Sequence, residues 1–114
     1  MYTVTVRSGS KVRRSRFESP AEALDHVRDR ARELEKTGRR APVGGGLMRR
    51  IEPVRQVIGR IELKGPGGLR VGVDVRGDGS SEAFSGRIRR RLVEQRRGES
   101  ACDALARAVR ERSK

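Results

Sequence analysis

Apolar and polar residues alternate strictly at the start of the chain. Tyr2, Val4 and Val6 fall on one side of an extended segment and Thr3, Thr5 and Arg7 on the other, the period-two pattern of a half-buried strand. Ser8-Gly9-Ser10-Lys11 turns the chain, and Val12 to Phe17 returns as a second strand. Arg13, Arg14 and Arg16 make that strand highly charged, which suits an exposed edge that resists pairing with other chains.

The period changes after Phe17. Ser19-Pro20-Ala21-Glu22 is a capping box with proline at the first helical position: the Ser19 hydroxyl can accept the Glu22 N–H, and Glu22 can reach back. Leu24, Val27, Ala31 and Leu34 then recur at helical spacing and define one narrow apolar stripe. Glu22, Asp25 and Asp29 come early and Lys36 late, as the helix dipole prefers, and Thr37-Gly38 predicts the stop. Residues 39–54 contain Pro42, Gly44, Gly45, Gly46 and Pro53, which oppose a regular element and predict a flexible loop longer than most connections.

Alternation resumes at Val57. Val57, Gly59, Ile61 and Leu63 share one face of a strand, Gly65-Pro66-Gly67-Gly68 turns the chain, and Leu69, Val71, Val73 and Val75 share a face of the next. Ser80 to Ser85 reads either as a short strand or as the entry to a helix. Ile88, Leu92 and Val93 predict a short basic helix from about Gly86 to Gly98. Ser100 with Asp103 forms a second capping box, opening a last helix that carries Ala101, Ala104, Leu105, Ala108 and Val109.

The order β-β-α-loop-β-β-α(-α) predicts an α+β fold in one domain over residues 1–114. It implies two layers: a four-stranded, mainly antiparallel sheet (five-stranded if 80–85 pairs) with two or three helices on one face. The other face is expected to be solvated or buried in an oligomer. Tyr2, Phe17 and Phe84, the only aromatic residues, are all candidates for the core.

Charge changes this picture more than any motif. Lysine and arginine total 28 against 15 acids, a net charge of +13, while apolar residues make up only 33%. The excess is uneven: residues 19–38 hold four bases and five acids, whereas 1–18 hold five bases and one acid, and 39–60 and 85–97 each hold six and one. Three clusters follow: Arg13, Arg14 and Arg16; Arg39, Arg40, Arg49 and Arg50; and Arg87, Arg90, Arg91 and Arg97, which can share one flank of the expected basic helix. Guanidinium forks in such clusters suit phosphate oxygens. The competing explanation is compositional: 24 of the 28 basic residues are arginine, the codon bias of a GC-rich genome.

Catalytic chemistry has little to draw on. His26 is the sole histidine and Cys102 the sole cysteine, which excludes an intramolecular disulfide and the usual transition-metal clusters within one chain. Asp74, Asp78 and Glu82 flank Gly77 and Gly79 but lack the alternate-position ligands of a calcium loop and read as a polar hairpin turn. Gly44-Gly45-Gly46 before Arg49-Arg50 lacks the Lys-Ser/Thr ending of a phosphate-binding loop. No apolar run suggests a membrane span, and the start lacks signal-peptide character, so a cytoplasmic location is expected.

The expected function is therefore non-catalytic binding of nucleic acid, DNA or RNA, through phosphate contacts and without a cofactor. With three aromatic residues and all of them core candidates, base stacking is not expected. The alternative is a structural or protein-interaction module, binding an acidic protein or pairing as a homodimer, which exposure of Val12 and Ile58 would favour.

Overall fold

The computed structural model describes residues 1–40, 56–86 and 90–112. Among these residues six strands make one antiparallel sheet: β1 (Tyr2–Ser8), β2 (Lys11–Phe17), β3 (Val57–Gly65), β4 (Leu69–Arg76), β5 (Ser81–Ser85) and β6 (Arg91–Val93). Their spatial order is β2-β1-β3-β4-β5-β6. The α-helices of the described residues, α1 (Pro20–Arg40) and α2 (Ala101–Arg112), pack on one face, α1 over β1, β3 and β4 and α2 over β4 and β5. The α+β class is as expected; the sheet has more strands.

Cross-strand register explains the core. Val4 lies opposite Leu63, Leu63 opposite Val71, Ile61 opposite Val73, and Val73 opposite Ala83, so one face of four neighbouring strands is continuously apolar. Ala23, Val27 and Ala31 of α1 and Ala101, Leu105 and Val109 of α2 close over it. Small residues on both helices let them approach the β-branched sheet closely, with Leu24 and Leu34 half-buried at the flanks.

The capping box at α1 forms in part and the one at α2 in full. The Glu22 N–H donates to Ser19 Oγ at 3.2 Å, and the Ser19 hydroxyl donates to Glu22 Oε1 at 3.3 Å. At α2 the exchange is fully reciprocal: the Asp103 N–H donates to Ser100 Oγ and the Ser100 N–H to Asp103 Oδ2, each at 3.1 Å. Asp103 also accepts from Arg28 of α1 at 2.9 Å, which ties the two helices together.

Several local expectations are corrected. No helix forms at the described residues of 86–98; the chain instead adds β6 beside β5, pairing Val93 with Ala83 and Leu92 with Phe84. Neighbouring Leu92 and Val93 part company on a strand: Val93 packs against the core while Leu92 points away, 61% exposed. The helix α1 also continues past Thr37-Gly38 to Arg40, so Arg39 and Arg40 belong to its last turn rather than to a loop. Gly38 is there because the helix passes the β4–β5 turn closely: a Cβ on it would stand 2.8 Å from the Arg76 carbonyl oxygen and 2.9 Å from the Gly79 nitrogen. Finally, a bulge at Ile58 aligns Val57 with Arg76 and Gly59 with Val75, which takes Val57 off the core face.

Candidate nucleic-acid interface

Strand alternation sends every second side chain to the face of the sheet away from the helices. Register arranges these residues in rows. One row runs Arg16–Thr3–Lys64–Arg70 across β2, β1, β3 and β4; the next runs Arg14–Thr5–Glu62–Gly72–Phe84–Leu92; a third runs Val12–Arg7–Arg60–Asp74–Glu82. At about 4.8 Å between strands, the first row spans roughly 14 Å.

The acids of this face are already engaged. Asp74 takes a two-pronged grip from Arg60, with Nε at 2.6 Å and Nη2 at 3.3 Å, and that hydrogen bond raises the Arg60 pKa above its usual value. Glu82 is held by Arg76 at 2.6 Å and Glu62 by Arg7 at 3.5 Å. Arg14, Arg16, Lys64 and Arg70 form no ion pair with another described residue. Internal pairing therefore neutralises one side of the face and leaves a positive corner over β2, β1, β3 and β4.

Phe84 is buried, as expected of a core candidate, but on the face away from the helices. It sits on this open face, although only 5% exposed, because its ring lies over Gly72 and beneath two guanidinium groups. The Arg90 guanidinium carbon is 4.8 Å from the ring centroid and that of Arg60 is 5.7 Å, both within cation–π range. The ring is thus covered by arginine rather than offered for stacking.

The expected clusters are redistributed. Arg14 and Arg16 share the open face, but Arg13 aligns with Val6 and points to the helix side, where it lines a pocket against α1. Arg90 joins the open face through Phe84. Arg91 is in β6, aligned with Ser85 on the helix-side set, and Arg97 lies exposed in the turn before α2, so among the described residues Arg90, Arg91 and Arg97 share no helical flank. Arg49, Arg50 and Arg87 lie outside the described residues. Lys64 and Arg70 lie outside the three charge clusters of the sequence. Their signal was the alternation itself, since Lys64 is out of phase with Ile61 and Leu63, and Arg70 with Leu69 and Val71.

The remaining chemical candidates are accounted for locally. Burial pushes the Cys102 thiol up to about 11, so it is protonated at neutral pH. Asp78 accepts from the Ser80 N–H at 2.9 Å and hydroxyl at 2.6 Å, which makes the β4–β5 connection the expected polar turn. No helix among the described residues is long and apolar enough to cross a membrane. Comparison with protein-family models, with curated proteins and with solved structures found no match.

Proposed function

We propose that this protein binds nucleic acid without catalysis, gripping phosphates with the basic corner of its open sheet face. The observation that carries the reading is the alignment of Arg14, Arg16, Lys64 and Arg70 on one face, with the acids of that face committed to other arginines. A rigid sheet holds such charges in fixed register, and a span of roughly 14 Å matches about four nucleotides of stacked strand at ~3.4 Å each. With Phe84 covered, contacts go to phosphate rather than to base faces.

The apolar residues that would favour a homodimer through this face are divided. Val12 is 46% exposed near one edge, Val57 is 40% exposed at the start of β3, Leu92 is 61% exposed at the other edge, and Ile58 packs against the core. Nucleic acid is therefore preferred over self-association. The test compares two charge-matched variants in equilibrium binding to a labelled oligonucleotide. Alanine at Arg14, Arg16, Lys64 and Arg70 should weaken binding at least tenfold, and alanine at the exposed Arg32, Lys36, Arg97 and Arg110 much less. Equal losses would reduce the effect to net charge and end this reading.

A further inference from the structure

We infer that the pocket between β2 and α1 is a second, separate anion site that takes a phosphate monoester. This cavity of about 430 Å³ lies on the helix side of the edge strand. Lys11, Arg13 and Arg30 line it with the hydroxyls of Ser8 and Ser15 and the ring of His26. Glu33 is the one acid among its described lining residues, and it pairs with Arg30 at 3.1 Å. Lys11 and Arg13 form no ion pair with another described residue.

A second, independent observation points to a ligand. The Nε of Arg30 is, among the described residues, the one buried side-chain polar atom without a hydrogen-bond partner. The Arg30 side chain as a whole is 36% exposed, so its guanidinium stays open to an oxyanion in the pocket, and its Nε holds a donor that no described residue satisfies. Hydroxyls, guanidinium groups and an ammonium together match a tetrahedral dianion with several acceptor oxygens.

The pocket is insulated from the open face by the strand itself. Alternation along β2 puts Lys11, Arg13 and Ser15 on the pocket side and Arg14 and Arg16 on the other. Two pairs of charges on one strand therefore serve two different surfaces, and each acts as a control for the other.

His26 supplies a reporter. Its ring packs on Phe17 at 5.1 Å, and its pKa lies below the usual histidine value because burial, then Arg30, disfavours the imidazolium. Asp29 and Glu33 on α1 oppose that shift, while Lys11 and Arg13 face the same cavity from β2. A bound phosphate favours the imidazolium and should move the His26 titration upward.

The experiment is calorimetric titration with inorganic phosphate, paired with an NMR pH titration of His26 in its absence and presence. One phosphate per chain should bind; Lys11→Ala/Arg13→Ala should weaken it at least tenfold, and Arg14→Ala/Arg16→Ala less than twofold. Saturating phosphate should raise the His26 midpoint in the wild-type protein and in Arg14→Ala/Arg16→Ala, and not in Lys11→Ala/Arg13→Ala. No heat of binding, an unmoved His26, or equal losses in both double variants would overturn the site. An oligonucleotide with and without a terminal phosphate identifies the source: tighter binding of the phosphorylated strand assigns the site to nucleic-acid ends, and identical binding assigns it to a free ester. Because the open-face variant retains the pocket, failure here leaves the reading of the open face intact.

Discussion

The ring of Phe84 lies directly across Gly72: a Cβ built on Gly72 would stand 2.4 Å from the Phe84 Cζ and 2.5 Å from the Ile61 carbonyl oxygen. The absence of a side chain on β4 is what allows an aromatic residue on β5 to lie flat on the face that carries the basic corner. It also places the ring where Arg60 and Arg90 cover it.

Gly72→Ala should therefore destabilise the protein by about 1–3 kcal/mol through overpacking. Thermal unfolding measures it, and Phe84→Ala in the same chain should recover part of the loss, a non-additive pair. Full additivity would mean that the two residues do not compete for the same space.

Gly38→Ala sets local propensity against packing. Alanine favours a helix interior over glycine by about 1 kcal/mol, yet its Cβ would meet the backbone of the β4–β5 turn. The expected outcome is a lower unfolding midpoint. A higher midpoint would show that propensity dominates and that α1 and the turn are less closely apposed.

How much was legible in the sequence follows from which forces act locally. The capping boxes at Ser19 and Ser100, the alternation of β1, β3 and β4 and the stripe of α1 were all readable, because each is written in neighbouring residues. β6 was not, since Arg91, Leu92 and Val93 become a strand only because β5 offers an open edge. Gly38 reads as a helix stop until the turn packed against it is known. The site was half legible for the same reason. Arg14 and Arg16 were named, but pairing them with Lys64 and Arg70, and separating them from Arg13, requires the register of four strands.

The Cys102 thiol should be slow to alkylate at neutral pH, its rate rising with pH toward a midpoint near 11. Its raised pKa also fixes a sign for stability. An ordinary thiol ionises near 8.5, so the folded state holds the proton more tightly than the unfolded one. That contribution is fully present below about 8.5 and is lost as pH rises toward 11. Thermal midpoints of the wild type and Cys102→Ser should converge over that alkaline window; a constant gap would remove the thiol as the cause.

Acid should act through Asp103. Hydrogen bonds from the Ser100 backbone N–H and from Arg28 hold its carboxyl below the usual carboxylate range. A depressed pKa contributes stability that is present above the unfolded value, near 3.9, and is lost as pH falls below it. Asp103→Asn should lower the unfolding midpoint at neutral pH and lose less than the wild type on acidification below about 4. Parallel losses in both proteins would place the acid sensitivity elsewhere.

The basic corner is tested most directly by salt dependence. Binding of labelled duplex DNA, single-stranded DNA and structured RNA, followed by fluorescence anisotropy over a salt series, reports the number of phosphates contacted, with a slope of about 0.9 per phosphate for duplex DNA. The wild type should still bind at physiological salt, and alanine at Arg14, Arg16, Lys64 and Arg70 should flatten the duplex slope by roughly three to four. The variant at Arg32, Lys36, Arg97 and Arg110 should keep nearly the wild-type slope. Equal slopes in the two variants, or binding that vanishes by physiological salt for all three ligands, would contradict an interface on the open sheet face.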